Sequence, residues 1–285
     1  METLLRNAPA KINLTLRVTG VRSDGFHELE SLVAQINLCD TVSVASHEDG
    51  CYGLTCDDPT LASDGSNLVL RAAKALNAAA RTNHGTQIDL RKRIPAGSGL
   101  GGGSSDAATT LTLLNDLWQT RFERAQLAAL GAELGSDVPL FLHTPLCILR
   151  GRGEQIEDLG APPALWLALI LPEIHCATPA VYATCDRLGP PPPRPPLTEV
   201  LAARTSANAL MDLLFNDLEA AAFQVAPELG ALAAEISAVT GQAVRLTGSG
   251  AALFRLFDHP RAAAKFALAV GTETGTRTDV IALHT

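Results

Sequence analysis

Between Pro95 and Ala108 the chain reads Pro-Ala-Gly-Ser-Gly-Leu-Gly-Gly-Gly-Ser-Ser-Asp-Ala-Ala, with five glycines in fourteen residues. Glycine at this density points to a backbone that needs positive φ or must come close to something. Ser104 and Ser105 are placed to cap a helix whose apolar stripe runs through Ala107, Leu111, Leu114 and Trp118. A glycine loop that opens a helix presents unpaired N–H groups and roughly half a positive charge to whatever lies before it. Such a place suits an anion, and phosphate above all.

Several phosphate-binding patterns compete for this stretch. Gly97 and Gly102 have Walker spacing, but Gly103 and Ser104 follow where Lys and Ser/Thr are required. Gly97, Gly99 and Gly102 satisfy the dinucleotide pattern, yet Arg91 to Pro95 is a poor buried strand to precede it. The glycine loop of protein kinases fits loosely, without a His-Arg-Asp or Asp-Phe-Gly tripeptide anywhere. A flexible linker would not be flanked by Pro95 and a periodic helix. Alanine at Gly102 or Gly103 is expected to crowd the phosphates or to block positive φ. Arg91, Lys92 and Arg93 give the loop a positive local field, although each also reads as a solvated surface charge.

The bulk properties narrow the classes further. A chain of 285 residues can hold two compact domains. Its formal charge of -8 argues against nucleic acid and against an anionic membrane as partners. The six cysteines form no C-x-x-C pair, so free thiols in a reducing cytoplasm are expected, with no zinc at Cys51 and Cys56. The opening Met-Glu-Thr-Leu-Leu-Arg lacks the regions of a signal peptide, and the apolar run Ala164 to Leu171 is too short to span a bilayer.

The elements that must position the loop are legible in part. Residues 10–18 alternate, with Ile12, Leu14, Leu16 and Val18 on one face and Lys11, Asn13, Thr15 and Arg17 on the other, which reads as a half-buried strand with a polar side. Strands are expected at 31–36, 41–45, 147–150 and 166–171, and helices at 67–80 and 123–134, the second closed by Gly135. Ser136, Asp137, Val138 and Pro139 look like a fresh helix start, and Thr178 with Pro179 like a cap and first turn. Gly160 to Pro163 is the candidate boundary, giving domains 1–160 and 161–285. The proline tract 190–196 reads as a stiff extended connector. Beyond it, a helix at 228–240, strands at 243–246 and 252–257, a helix at 260–270 and a strand at 279–283 suggest a split β-α-β sandwich. A second glycine turn, Thr247 to Gly250, joins its two central strands.

Three stretches taken together, Pro-Ala-Lys-Ile-Asn-Leu at 9–14, the loop at 95–105 and Leu-Thr-Gly-Ser-Gly-Ala-Ala-Leu-Phe at 246–254, resemble the three motifs of the GHMP kinase superfamily. Gly-Phe-His at 25–27, Gly-Ser-Asp-Val-Pro at 135–139, Thr-Pro-Ala-Val-Tyr at 178–182 and Asn-Asp-Leu-Glu at 216–219 bring the resemblance closest to the branch that phosphorylates a cytidyl sugar alcohol in isoprenoid synthesis. The resemblance implies an α+β fold, with an N-terminal domain like ribosomal S5 domain 2 and a ferredoxin-like C-terminal domain. It implies ATP and Mg2+ as cofactors, a small-molecule acceptor, and a monomer or weak homodimer. By the same resemblance Lys11 and Asp137 are the catalytic pair, and Pro95, Ala96, Gly97, Ser98, Gly99, Leu100, Gly101, Gly102, Gly103, Ser104 and Ser105 hold ATP. Asn13, Phe26, His27 and Tyr182 line the cytidyl pocket, two aromatic rings sandwiching the base. Phe26 stands where that branch usually has tyrosine, which keeps the stack and loses a hydroxyl. Each residue alone also has a plainer reading: Lys11 as an exposed strand lysine, Asp137 as a favourable charge at a helix dipole, and Phe26, His27 and Tyr182 as local packing.

Overall fold

The structure is a computed structural model and describes residues 3–284; Met1, Glu2 and Thr285, the first two belonging to the opening stretch read above, lie outside the described residues. In chain order the elements are β1 (Thr3–Asn13), β2 (Thr15–Val21), β3 (His27–His47), β4 (Tyr52–Cys56), α1 (Leu68–Ala80), β5 (Gly85–Arg91), α2 (Gly102–Leu117) and α3 (Arg124–Leu134). They continue with β6 (Leu146–Gly151), β7 (Gln155–Gly160), β8 (Trp166–Ile170), α4 (Thr178–Leu188), α5 (Leu197–Ala202), α6 (Ala207–Leu213), β9 (Phe215–Asn216), α7 (Glu219–Val225) and α8 (Pro227–Thr240). The chain closes with β10 (Arg245–Leu246), β11 (Leu253–Phe257), α9 (Pro260–Thr274) and β12 (Thr278–Ala282).

These elements form two compact units, each discontinuous in sequence. The first takes residues up to Ala10, Leu38–Ala96 and Gly101–Thr144. The second takes Lys11–Asn37, Gly97–Leu100 and everything from Pro145. This partition differs in kind from the contiguous division at residue 160.

In the first unit β5 pairs antiparallel with residues 41–47 of β3 and parallel with β4. Helices α1, α2 and α3 pack on one another, and a core of Val42, Val44, Leu76, Ile88, Leu111 and Leu114 fills the space between helices and strands. Each fully buried leucine contributes about 1.5–3 kcal/mol, enough to make α2 a rigid base for the loop that precedes it. Asn67 caps α1 as its sequence predicts, accepting from the N–H of Val69. A capping box between Glu123 and Gln126 starts α3.

In the second unit β8, β10, β11 and β12 make an antiparallel sheet in the order β10-β11-β8-β12. Counting only these four, the sequential order 2-3-1-4 with α9 returning the chain to the edge is the split β-α-β arrangement that the sequence suggests. A second core, including Ile170, Leu229, Ile236, Leu253 and Phe266, lies against this sheet. Residues 29–34 of β3 pair with β6, and β2 pairs with β3 and, in parallel, with β9.

Several expectations need correction. The two strands read at 31–36 and 41–45 are one strand of 21 residues, β3. The strands β4, β5, β7 and β9 and the short helices α5, α6 and α7 have no counterpart in the sequence reading; a helix of six or seven residues shows under two turns of periodicity. The residues after Gly135 form only a turn and the 3-10 segment Pro139–Leu142. Helix α4 is capped by Ala177, so that Thr178 is its first residue. Ser104 and Ser105 lie inside α2, whose cap is Gly101 at φ 75°.

Candidate active site

The strand read at 10–18 falls on the end of β1 and the start of β2, and in the second unit its polar side is not exposed. Lys11, Asn13 and Thr15 are as buried as Ile12, Leu14 and Leu16, because neighbours cover both faces. Lys11 Nζ donates to Asn13 Oδ1 at 2.8 Å, and Asn13 Nδ2 donates to Ser31 Oγ at 2.8 Å. The Ser31 hydroxyl in turn donates to the Thr15 carbonyl. The amide oxygen and nitrogen of Asn13 are thereby both engaged, which fixes the side chain and aims its oxygen at the ammonium.

Two glycine segments meet at this pair. The N–H of Lys11 donates to the Leu100 carbonyl at 2.9 Å, and the N–H of Asn13 to Thr247 Oγ1 at 2.9 Å. The N–H of Ala252 reaches the Ser98 carbonyl at 3.3 Å. Gly99, at φ 77°, has room for no side chain: a Cβ there would stand 2.9 Å from the Gly250 carbonyl oxygen and 3.0 Å from that of Thr247. A Cβ on Gly248 would lie 3.2 Å from the Gly99 carbonyl oxygen and 3.4 Å from Lys11 Nζ. Asn216 holds the turn from beneath, donating to the carbonyls of Leu246 and Gly248 at 3.1 and 2.7 Å. Thr178 Oγ1 and Ser249 Oγ share a hydrogen bond of 2.6 Å.

In the first unit α2 begins at Gly102, and its cap residue, Gly101, has no side chain to bond the leading N–H groups. Gly101 is left-handed, but Gly102 and Gly103 are not, so the expectation of blocked positive φ at those two belongs instead to Gly97, Gly99 and Gly101. Nothing lies within 4 Å of a Cβ on Gly97. The leading N–H groups of a helix are of the kind that suits a phosphate ligand.

A buried charge cluster underlies the helix entry. Lys92 Nζ bonds Asp40 Oδ2 and, at 2.6 Å, Asp106 Oδ2. Asp40 Oδ1 also accepts from the N–H of Arg93 and, at 2.9 Å, from that of Ile94. Residues 92–94, which lead into the loop, are thus tied to Asp106 in the second turn of α2. Burial pulls the Lys92 ammonium down, but Asp106 and Asp40 more than offset it and hold it above its ordinary range. Burial, opposed by Lys92 and aided by Asp40, pushes the Asp106 carboxyl up to about 7. Lys92 therefore does not contribute the free positive field that the sequence suggests, since two carboxylates engage it. The Ser105 hydroxyl is fully buried with no hydrogen-bond partner among the described residues. Asp137, also in this unit, is half-buried in the turn that follows α3.

Back in the second unit, Phe26, His27 and Tyr182 gather around the start of β3. Phe26 is 49% exposed on a turn closed by Arg22 N–H to Phe26 carbonyl (2.7 Å) and Phe26 N–H to Asp24 Oδ1 (3.1 Å). That N–H, then Arg22, holds the Asp24 carboxyl below its usual range. The Arg152 guanidinium stands 5.2 Å over the Phe26 ring. The imidazole of His27 lies 4.6 Å from the Tyr182 ring at 34°.

Sequence comparison matches residues 67–144 to the GHMP kinases N terminal domain and 198–276 to the GHMP kinases C terminal domain. A 4-diphosphocytidyl-2-C-methyl-D-erythritol kinase of Bordetella parapertussis is 41% identical over 254 residues, covering 88% of this chain and 81% of that protein. One of Citrifermentans bemidjiense is 34% identical, covering 96% of this chain and 97% of its own. The crystal structure of a 4-(cytidine 5'-diphospho)-2C-methyl-D-erythritol kinase superposes with a TM-score of 0.83 at 35% identity, covering 99% and 100% of the two chains. The chain belongs to the GHMP kinases, in their 4-diphosphocytidyl-2-C-methyl-D-erythritol kinase family. It is a small-molecule kinase of the two-domain α+β GHMP fold.

Within this GHMP kinase the N-terminal match contains the glycine loop and Asp137, and the C-terminal match contains the turn at 247–250. Lys11, Asn13, His27 and Tyr182 lie outside both matched ranges and are carried by tertiary contacts. The sequence reading missed Ser31, Thr247 and the Lys92–Asp40–Asp106 cluster. Thr247 carries a signal of its own, as a hydroxyl directly before the second glycine turn. Asp40 does not, since its partners are 52 to 54 residues away. Among the described residues no helix is long and apolar enough to cross a membrane, and no group of three or more His, Cys, Asp or Glu could hold a metal ion.

Proposed function

We propose that this kinase transfers the terminal phosphoryl group of ATP to the 2-hydroxyl of 4-diphosphocytidyl-2-C-methyl-D-erythritol, the step its named relatives carry out for isoprenoid synthesis. The observation that carries this reading furthest is the buried Lys11–Asn13 pair seated against both glycine segments. Phosphoryl transfer asks a protein mainly for positioning and charge neutralisation. The leading N–H groups of α2 and the loop 95–105 hold the triphosphate. Mg2+ bound with the nucleotide would supply further neutralisation of the phosphate charge. Lys11, its ammonium fixed by Asn13, stabilises charge at the transferred group and the acceptor oxygen. Asp137 takes or orients the proton of the acceptor hydroxyl. Phe26, His27 and Tyr182 bind the cytidyl group, whose binding energy, remote from the reacting hydroxyl, orients the acceptor. Segment 1–160 is the ATP-binding domain in this reading and 161–285 the substrate domain. A cytoplasmic monomer or weak homodimer without nucleic acid as a partner completes it.

Steady-state kinetics with MgATP and a panel of alcohols test the proposal. Lys11→Ala and Asp137→Asn are each expected to raise the barrier by about 3 kcal/mol, roughly a hundredfold in kcat, with ATP affinity nearly unchanged. Near-wild-type turnover in either variant removes that residue's role. Efficient phosphorylation of mevalonate or homoserine with none of the cytidyl compound removes the proposed acceptor.

A further inference from the structure

We propose that Asp186 is a positioning residue for the cytosine of the acceptor, acting through His27. The proposal rests on the cytidyl reading above and adds a residue that neither the glycine motifs nor the aromatic pair points to. His27 Nε2 lies 2.8 Å from Asp186 Oδ1. The imidazole is only 12% exposed, whereas the carboxylate is 50% exposed.

Asp186 follows Tyr182 by four residues on α4, so both project from one face of the helix. That single face grips the imidazole twice: the Tyr182 ring lies against it at 4.6 Å, and Asp186 takes its Nε2 edge. A carboxylate only accepts, so the bond requires a proton on Nε2. In the neutral ring this leaves Nδ1 as an acceptor with a fixed direction, the second-partner logic by which histidine tautomers are set.

A fixed acceptor complements the exocyclic amino group of cytosine. Uracil has a carbonyl at that position, and two acceptors facing each other in a partly buried site leave both unpaired. Without Asp186 the proton can move to Nδ1 and the ring can turn, so the discrimination weakens. The carboxylate touches no part of the acceptor in this scheme. Its effect is confined to nucleobase recognition and does not extend to ATP or the transferred phosphoryl.

The test combines kinetics with a readout that needs no turnover. Asp186→Ala is expected to raise KM for the cytidyl acceptor about tenfold, to lower the preference for cytidyl over the uridyl analogue by a similar factor, and to leave KM for ATP unchanged. Asp186→Asn, whose amide oxygen still accepts from Nε2–H, should recover most of that loss. In parallel, 15N NMR of imidazole-labelled protein, with the His27 signals assigned through His27→Gln, should show the Nε2–H tautomer in wild type and a mixture in Asp186→Ala. An unchanged tautomer, or an unchanged cytidyl preference in Asp186→Ala, overturns the proposal while the kinase reading stands. A wild-type enzyme inactive on the cytidyl compound removes the acceptor itself, and the role of Asp186 with it.

Discussion

The two halves of the glycine loop contain glycine for different reasons. Gly97 to Leu100 belong to the second unit, where Gly99 is enclosed by the carbonyls of Thr247 and Gly250, and backbone bonds from Lys11 and Ala252 hold the segment. Gly101 to Gly103 belong to the first unit, at the mouth of α2, where a Cβ on Gly103 would meet only Leu68 Cδ1, at 3.7 Å. In the first half, glycine is required because two stretches of main chain touch, and main chain cannot yield as a side chain can. In the second half the fold would accept a methyl group at Gly103, so what its absence leaves clear is the space before the helix N–H groups. The anchors differ as well. Backbone hydrogen bonds fix the first half, and the ionisable Lys92–Asp40–Asp106 cluster fixes the second.

The largest expected effect breaks the contact of the first half. Gly99→Ala adds a clash against two carbonyl oxygens to a left-handed φ that itself costs roughly 1–2 kcal/mol. We expect a total loss above about 2 kcal/mol in urea unfolding, together with weaker ATP binding. An unchanged midpoint would mean that the two glycine segments slide freely past each other.

A smaller effect separates the anchors through pH. The Asp106 carboxyl is raised from its ordinary 3.8 to about 7, so the folded protein binds more protons than the unfolded chain across that interval. Stability from this group is therefore fully present below about pH 4, declines as the pH rises toward about 7, and is level above that. Relative to Asp106→Asn, wild type should lose melting temperature over that window. The same scan with Gly99→Ala should run parallel to wild type, because the backbone bonds that hold the first half do not titrate. Parallel curves for wild type and Asp106→Asn would contradict the raised carboxyl.

The smallest effect lies at Gly103. Gly103→Ala replaces glycine in a helix at a site with ordinary space, which should leave stability unchanged or raise it by up to about 1 kcal/mol. Calorimetric ATP affinity should nevertheless fall, since the new methyl group would cover the proposed phosphate site. Equal ATP affinity with equal stability would show that phosphate does not sit at this helix start.

Much of the fold was legible because it is encoded locally. Asn67 before α1, Gly241 after α8 and the helix-strand rhythm from 227 to 282 follow from caps and periods that neighbouring residues set. The candidate site was legible as three motifs, yet their local reading erred in instructive ways. Ser104 and Ser105 have the side chains of a cap, but Gly101 takes that place, because only the left-handed turn at φ 75° brings the chain into α2 there.

The sequence by itself determined where glycine breaks the chain, where the longer helices form, and that a lysine and an asparagine two residues apart share one side of a strand. Only the tertiary structure decided that this polar side is buried. Alternation reports that two faces differ, and whether the polar face meets water or another segment depends on partners such as Ser31, Leu100 and Thr247, 18 to 234 residues distant. The same holds for charge. Lys92 and Lys11 are alike in sequence, each a lysine beside a motif, but Lys92 is held between two buried carboxylates and Lys11 donates to an amide beside a glycine turn. Electrostatic role depends on distance in space, which residue spacing along the chain does not specify beyond a single element.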